Sequence, residues 1–172
     1  MHIYAIGDIH GRHDLLVQAL NVIYQDINDR GLKEYKIVFL GDYVDRGPDS
    51  FEVVETLIDA QFEDKNVVCL MGNHERMMLE GVTNAYTGSR SIWYENGGIE
   101  TMESYGGVND TIITNDPKHY VPDSHISWLK NLKLSYESEH YFFVHAGINP
   151  DPIRSSEGKG STMDPLVLLE YS

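Results

Sequence analysis

The feature that most constrains the fold of this chain is an alternation of short apolar runs with amphipathic helical patterns. The apolar runs have strand length and are rich in β-branched or aromatic residues, whereas the stretches between them repeat apolar residues every three to four positions. The strand candidates are Ile3–Ile6, Ile37–Leu40 and Val67–Met71, and the helical patterns between them run from Leu15 to Ile27 and from Val53 to Ile58. This order is typical of parallel βαβ units, so the sequence predicts an α/β fold with a βαβαβ core.

Local signals predict where the helices begin and end. Gly31 is the expected stop of the first helix, and Asp49 with Glu52 forms a capping-box pattern at the start of the second. Farther along the chain, Asp123 or Ser124 is expected to cap another helix through its side chain.

The pattern changes after Glu75. The sequence predicts a short helix over Arg76–Glu80 and a longer helix over Ile92–Tyr105. Two further apolar runs, Leu134–Tyr136 and Tyr141–Val144, are joined by four polar residues and predict an antiparallel hairpin. No internal repeat or linker is visible, so we expect one domain.

The charge of the chain limits the classes of function open to it. Its 172 residues carry 27 acidic side chains against 13 Lys and Arg, a formal net charge of -14. Such a charge repels phosphate backbones, so we expect no general binding to nucleic acid. Most of the acids are expected on a solvated surface, and part of the excess can serve as ligands for cations.

Other features of the composition predict a cytoplasmic protein without a membrane partner. No apolar stretch approaches the length of a membrane span, and the N-terminus lacks the pattern of a signal peptide. The single cysteine, Cys69, lies in an apolar run and is expected to be a core residue in a reducing compartment rather than a catalytic thiol.

Four of the predicted strands end beside a glycine and an Asp, Asn or His. Since ligands gather at the carboxyl ends of strands in α/β sheets, these polar groups are expected to converge on one pocket. Any one such segment is also what a polar turn closing a strand looks like, but four together favour a site. The segments are Gly7-Asp8-Ile9-His10-Gly11, Gly41-Asp42-Tyr43-Val44-Asp45-Arg46-Gly47, Gly72-Asn73-His74-Glu75 and His145-Ala146-Gly147.

The residue types in these segments fit divalent cations. Carboxylate oxygens, imidazole nitrogens and an amide oxygen suit Mn, Fe or Zn better than a copper or thiolate site. One carboxylate can bridge two ions at roughly 3.5–4 Å, an arrangement that activates water for phosphoester hydrolysis. The sequence therefore predicts a site for two divalent metal ions. Among Mn, Fe and Zn, Mn is the metal expected to support activity.

The four segments, in this order, resemble the phosphoprotein phosphatase family of metallophosphoesterases, in particular its bacterial and phage serine/threonine phosphatases. Trp93-Tyr-Glu-Asn-Gly-Gly98 and His125-Ile-Ser-Trp128-Leu are weaker signals of the same branch. The resemblance implies a metallo-dependent phosphatase-like fold, a β-sandwich flanked by helices. It covers residues 1–150 as the phosphoesterase domain and leaves residues 151–172 as an atypical tail rather than a separate domain.

The resemblance implies the metal ligands. Asp8 and His10 would bind the first ion and Asp42 would bridge both ions. Asn73 and His145 would bind the second ion.

The same resemblance implies the groups that act on the substrate. His74 would protonate the leaving alkoxide, Asp45 would hold its imidazole, and Arg46 would grip the phosphate oxygens with its planar fork, assisted by Asn73.

Several of these residues also have plainer interpretations. Asp45 and Arg46 can pair with each other, Arg12 is as well explained by a surface role as by phosphate binding, and Glu75 is expected to be structural. The remaining histidines are expected to be structural or solvent-facing: His2, His13, His119, His125 and His140.

The end of the chain departs from the family pattern. Relatives are expected to supply a further substrate arginine and a last histidine, whereas no histidine follows His145 here and Arg154 has a different setting. Residues 151–172 resemble an altered or truncated end, which predicts an incomplete second sheet. The uncovered edge is expected either to be covered by Leu166–Leu169 or to support self-association.

Two classes of function follow from the sequence. The first is a dimetal phosphomonoesterase with phosphorylated serine or threonine, or a small phosphoester or nucleotide, as substrate. The second is an inactive or weakly active remnant that binds metal or phosphate. The Asp45–Arg46 pair argues against a symmetrical dinucleoside polyphosphate hydrolase, where the resemblance implies a different residue in place of Asp45.

Overall fold

A computed structural model of the chain describes residues 1–83, 87–107 and 116–147. The predicted tail, with Arg154 and Leu166–Leu169, lies outside these residues, so the expectations about it remain predictions.

The first half of the chain confirms the predicted βαβαβ core. Its three strands form a parallel sheet in the order β1-β2-β3, and a helix follows each of the first two strands. The first helix ends before Gly31, as predicted, and that glycine has a φ of 60°. The elements are β1 (His2–Ile6), α1 (His13–Asp29), β2 (Tyr35–Phe39), α2 (Ser50–Glu63) and β3 (Val67–Cys69).

The second half contains more helix than the sequence predicted. The helix expected over Arg76–Glu80 begins at Asn73, and the helix expected over Ile92–Tyr105 is divided by a π-helical turn, Tyr94–Gly98. Gly97 interrupts the helical backbone there with a φ of 103°. The elements are α3 (Asn73–Thr83), α4 (Thr87–Trp93), α5 (Ile99–Ser104), a 3-10 turn (Pro117–His119), α6 (Asp123–Lys130), β4 (Ser135–Glu137) and β5 (Phe142–Val144).

The predicted helix caps are wrong in detail. Asp49 is the residue before α2, but its side chain makes no capping hydrogen bond. Its backbone N–H, which the Glu52 side chain would accept in a capping box, donates to the Gly11 carbonyl at 3.0 Å instead. Asp123 lies inside α6, whose cap position is Pro122. The Pro122 carbonyl accepts a hydrogen bond from the Ile126 backbone N–H at 3.1 Å, which begins the helix without a side-chain cap.

The central sheet is buried on both faces. Ile37 and Phe39 of β2 point into the core formed with the helices, and Cys69 is buried there as predicted. On the other face, Val38 packs with the hairpin residues Tyr136 and Phe143. The β4–β5 pair is antiparallel, as predicted, and supplies the two described strands of the second sheet. This two-sided cover confirms the α/β, metallo-dependent phosphatase-like fold.

None of the helices in the described ranges combines the length and the apolar character that crossing a bilayer requires.

Candidate metal centre

The carboxyl ends of the strands bring the eight predicted site residues to one edge of the molecule. Asp8 and His10 follow β1, the next three residues follow β2, and Asn73 and His74 open α3 after β3. His145 follows β5 of the hairpin and reaches the same place, because the hairpin packs against the sheet. The three residues after β2 are Asp42, Asp45 and Arg46.

The buried Asp42 carboxylate lies between two imidazoles. Its Oδ2 atom is 3.7 Å from His10 Nε2, and its Oδ1 atom is 3.3 Å from His145 Nε2. Burial disfavours its charged form, but hydrogen bonds from His145 and from the His74 backbone outweigh this effect, so the pKa of Asp42 lies below its ordinary value. Asp42 is therefore held as a carboxylate with one oxygen turned to each ring.

Backbone carbonyls fix how the two imidazoles face this carboxylate. His10 Nδ1 is 2.9 Å from the Val44 carbonyl oxygen, and His145 Nδ1 is 3.1 Å from the Leu40 carbonyl oxygen. Because a carbonyl only accepts, each Nδ1 carries the hydrogen, and in the neutral ring Nε2 is left with a lone pair facing the centre. This is the tautomer in which histidine binds a metal ion through Nε2.

Two acceptor oxygens lie close to the Nε2 atom of His145, so this nitrogen must carry a proton or share a cation with them. Its Nε2 atom is 3.0 Å from Asn73 Oδ1 as well as close to Asp42, and both of these oxygens are acceptors. The pKa of His145 is raised above its ordinary value because its ring bonds Asp42. Either a proton on Nε2 or a metal cation can lie between these atoms. The ligand atoms of Asp42, Asn73 and His145 therefore fit a cation.

Two three-residue groups have ligand atoms within 4.8 Å of one another. One contains His10, Asp42 and His74, and the other contains Asp8, Asp42 and His145. Asp42 belongs to both groups, and the exposed Asp8 carboxylate is also 4.0 Å from His10 Nε2. Imidazole nitrogens and carboxylate oxygens are ligands that divalent transition metals accept.

Asp45 and His74 form a buried pair beside this centre. His74 Nδ1 is 2.7 Å from Asp45 Oδ2, and neither side chain is more than 1% exposed. The other carboxylate oxygen, Oδ1, accepts hydrogen bonds from Trp93 Nε1 at 2.9 Å and Thr101 Oγ1 at 2.7 Å. Asp45 thus binds these three residues, and the alternative prediction of an Asp45–Arg46 surface pair is wrong.

The Arg46 guanidinium lies against the imidazoles. Its two terminal nitrogens are 3.1 Å from His10 Nε2 and 2.9 Å from His74 Nε2. The backbone N–H of Arg46 donates to the Gly97 carbonyl at 3.0 Å. A Cβ atom on Gly97 would lie 2.7 Å from Arg46 Cγ, so only glycine permits this approach. Arg46 also borders a cleft of about 370 Å³ whose wall includes Tyr94 and Glu95.

Glu75 ties two of the strand-end turns together. Its fully buried carboxylate accepts hydrogen bonds from the backbone N–H groups of Asp42 at 2.8 Å, Tyr43 at 2.7 Å and Gly72 at 2.9 Å. Burial and the neighbouring Asp42 charge raise the pKa of Glu75 to about 7. A Cβ atom on Gly72 would lie 2.2 Å from Asp42 Oδ1, so the two turns meet through glycine. The contacts confirm the structural role predicted for Glu75.

Left-handed backbone conformations are concentrated at this site. Among the described residues other than glycine, positive φ angles occur at His10 (45°), Asp42 (56°), Asp45 (73°) and Arg46 (69°). Residues with side chains rarely adopt this region, and such strain clusters where the surrounding structure holds functional groups in place.

Residues outside the strand-end segments have clear partners. Arg12 pairs with Asp14 at 2.7 Å on the surface, which favours the surface role over phosphate binding. His125 is buried between Tyr105 and Glu55 and is structural, as predicted. Sequence reasoning missed Trp93 and Thr101 as partners of Asp45, although the Trp93–Gly98 segment was a visible signal.

Comparisons with known proteins agree with this geometry. The sequence is 33% identical over 142 residues to serine/threonine-protein phosphatase 2 of Escherichia coli, covering 81% of this chain and 57% of that protein. It is 28% identical over 152 residues to the symmetrical bis(5'-nucleosyl)-tetraphosphatase of Nitrosomonas europaea, covering 88% of this chain and 46% of that protein. The chain spans about half the length of the curated relatives it matches.

A solved structure and a family model complete the comparison. The fold is similar to that of a mutant cold-active protein tyrosine phosphatase, with a TM-score of 0.57 and 24% identity over 86% of this chain and 42% of the other. The family model described as calcineurin-like phosphoesterase matches residues 1–170. The chain belongs to the calcineurin-like phosphoesterase family.

Proposed function

We propose that this chain is a metal-dependent phosphomonoesterase that removes phosphate from serine or threonine side chains of proteins in the cytoplasm. The observation that carries the proposal is the position of Asp42, whose two oxygens face two imidazoles of metal-binding tautomer beside the Asp45–His74 pair. Membership in the calcineurin-like phosphoesterase family supports the same chemistry.

The proposed ligands are divided between two divalent ions. As the family resemblance implies, Asp8, His10 and Asp42 would hold the first, and Asp42, Asn73 and His145 would hold the second. The three-residue groups in the structure differ from this division, since they place Asp8 with His145 and His10 with His74, and both divisions share Asp42. When bound, such ions neutralise charge on phosphoryl oxygens and supply an activated water, and Mn²⁺ is the ion we expect to support turnover.

His74 is the proposed general acid. Its Nδ1–H is held by Asp45, so Nε2 is the atom that can deliver a proton to the leaving alkoxide oxygen. Arg46 donates to this nitrogen at 2.9 Å. For Nε2 to carry the proton, the guanidinium must turn from the imidazole to the phosphate oxygens, which it fits with two parallel N–H donors.

The cleft beside Arg46 favours a protein substrate over a polyphosphate. Glu95 and Glu100 contribute to its wall, and the whole chain carries a formal charge of -14. A peptide with one phosphate brings less negative charge into this cleft than a nucleoside polyphosphate does. The second candidate substrate is a symmetrical dinucleoside tetraphosphate, which the similarity to the Nitrosomonas europaea enzyme favours.

The proposal is tested by hydrolysis assays on the 172-residue protein with Mn²⁺. We expect release of phosphate from p-nitrophenyl phosphate and from phosphoserine and phosphothreonine peptides, with little cleavage of diadenosine tetraphosphate. Asp42→Asn should lose both metal and activity, whereas the matched surface variant Asp59→Asn should lose neither.

Other results would support the competing functions. Faster turnover of diadenosine tetraphosphate than of phosphopeptides would favour the nucleotide substrate. Absence of hydrolysis by a protein shown by elemental analysis to contain two Mn²⁺ ions would favour the binding remnant.

A further inference from the structure

The Asp45 carboxylate is held by two side chains that lie outside the four strand-end segments. Trp93 and Thr101 both donate to Oδ1, and the two residues are fully buried. We propose that Trp93 and Thr101 are positioning residues that lock the Asp45 carboxylate so that it orients His74 for proton transfer to the leaving group. This inference rests on the proposed function, in which His74 is the general acid.

The two oxygens of Asp45 are assigned to different tasks. Trp93 and Thr101 occupy Oδ1 at 2.9 and 2.7 Å, which leaves Oδ2 for His74 Nδ1 at 2.7 Å. A carboxylate with one free oxygen rotates readily about its terminal bond, because that torsion is broad. Two donors on Oδ1 remove this freedom and fix the direction of the bond to His74.

Thr101 also holds the backbone of Asp45. Its hydroxyl hydrogen goes to Asp45 Oδ1, while its oxygen accepts a hydrogen bond from the Asp45 backbone N–H at 2.8 Å. Ser50 Oγ lies 3.0 Å from the same hydroxyl oxygen. Because Asp45 has a φ of 73°, this double contact stabilises a backbone conformation that a residue with a side chain seldom adopts.

Trp93 is itself held in place by two glycines. A Cβ atom on Gly81 of α3 would lie 2.5 Å from the Trp93 ring, and one on Gly98 would lie 2.6 Å from it. The indole is therefore in close contact with α3 and with the π-helical turn, and its N–H has little freedom to leave Asp45. A buried tryptophan N–H needs an acceptor in any protein, so the test must separate positioning from packing alone.

The dependence of turnover on the leaving group distinguishes positioning of His74 from packing alone. Loss of packing slows every substrate, whereas a misdirected His74 slows only substrates whose leaving group must be protonated. Trp93→Phe and Thr101→Val should lower kcat for phosphoserine peptide by roughly 10–100-fold, the usual effect of removing a hydrogen-bond partner that orients a functional side chain. KM should change little. Turnover of p-nitrophenyl phosphate, whose leaving group needs no proton, should stay near the wild-type value.

The chain offers matched controls for both substitutions. Thr101→Ser keeps the hydroxyl and should restore turnover of the phosphoserine peptide. Trp128→Phe removes the only other tryptophan, whose Nε1 donates to Gln61 Oε1 at 2.7 Å, and should leave both substrates unaffected. If Trp93→Phe fails to fold, the Thr101→Val and Thr101→Ser pair carries the comparison.

A spectroscopic signal gives a readout that does not depend on activity. In metal-free protein, the proton of the His74–Asp45 hydrogen bond should give a downfield nuclear magnetic resonance signal that is missing in His74→Asn. We expect this signal to persist in Trp128→Phe and Thr101→Ser, and to shift or broaden in Trp93→Phe and Thr101→Val. An unchanged signal in both of the last two variants would overturn the positioning role.

The reference variant His74→Asn separates failure of the inference from failure of the proposed function. Equal loss on alkyl and nitrophenyl phosphates in His74→Asn would reject the general-acid role itself. Selective loss in His74→Asn, combined with uniform or no loss in Trp93→Phe and Thr101→Val, would reject only the positioning role.

Discussion

At the scale of single residues, Arg46 links the separate parts of the site. Its guanidinium contacts the Nε2 atoms of His10 and His74, and its backbone N–H is bound by Gly97. Since it is exposed and has no carboxylate partner among the described contacts, its planar fork can turn from the two imidazoles to an anion. A phosphate group is the anion that the proposed reaction requires.

We expect Arg46→Lys to weaken both catalysis and inhibition by inorganic phosphate. Lysine keeps the charge but loses the two parallel donors, so the phosphate should be held less tightly and in a less defined orientation. Inhibition constants for phosphate, measured with p-nitrophenyl phosphate as substrate, test this. Arg12→Lys is the matched control, because Arg12 is a surface residue paired with Asp14. Unchanged phosphate inhibition in Arg46→Lys would contradict the phosphate-binding role.

Residue-level prediction from the sequence succeeded where the signal was local. Each strand-end segment combines an apolar run with a glycine and a polar group, so its place at the edge of the sheet follows from a few neighbouring residues. The contacts of Asp45 with Trp93 and Thr101 join residues 48 and 56 positions apart. No local pattern encodes such a pairing, which is why sequence reasoning did not find it.

At the scale of elements, the segment from α4 to α5 forms a wall on one side of the site. Trp93 ends α4, Thr101 lies in α5, and the π-helical turn between them presents the Gly97 carbonyl to Arg46. The sequence predicted one continuous helix here, because the apolar spacing is helical on both sides of the turn. The interruption depends on contact with Arg46, and helical periodicity carries no information about that contact.

We expect Gly97→Ala to impair catalysis by displacing Arg46. An added Cβ would lie 2.7 Å from Arg46 Cγ, and misplacement of a substrate-binding group by about 1 Å can cost on the order of 100-fold in rate. Gly31→Ala is the control: Gly31 also has a positive φ, 60°, but nothing lies within 4 Å of the new atom. Both variants should lose stability, and only Gly97→Ala should lose kcat/KM. Equal activity in the two variants would argue against this contact.

At the scale of the whole molecule, a central sheet is covered by helices on one face and by the β4–β5 hairpin on the other. The hairpin carries His145 to the edge where the three parallel strands end. The site is therefore complete only when the hairpin docks against the sheet. The alternation of strands and helices predicted the parallel βαβαβ core, and the family resemblance implied the second sheet. The docking of the hairpin depends on packing of Tyr136 and Phe143 that no periodic pattern specifies.

We expect the 172-residue protein to bind its two metal ions with unequal affinity. The proposed first site has two carboxylates, Asp8 and Asp42, with His10, whereas the second shares Asp42 and adds a neutral amide and His145. Because a neutral amide attracts a cation less strongly than a carboxylate does, the two Mn²⁺ dissociation constants should differ by roughly 10-fold or more.

Calorimetric titration of Mn²⁺ into metal-free protein checks this prediction. His10→Asn should abolish the tighter binding event and His145→Asn the weaker one. Two equally tight ions in the unaltered protein would show that the charge of the proposed ligands does not decide the affinity of each site.

The left-handed backbone conformations at the site imply that conformational stability and catalysis favour different residues there. A residue with a side chain costs roughly 1–2 kcal/mol in this conformation, which glycine escapes. Arg46→Gly should therefore be at least as stable to urea as Arg46→Ala, although in the exposed helix position of Val22 the glycine variant should be the weaker by about 1 kcal/mol. If glycine were equally unfavourable at both positions, Arg46 would carry no strain. Backbone strain alone would thus favour glycine at these four positions, and glycine would erase the proposed site, so retention of His10, Asp42, Asp45 and Arg46 would record a demand for other contacts or for activity.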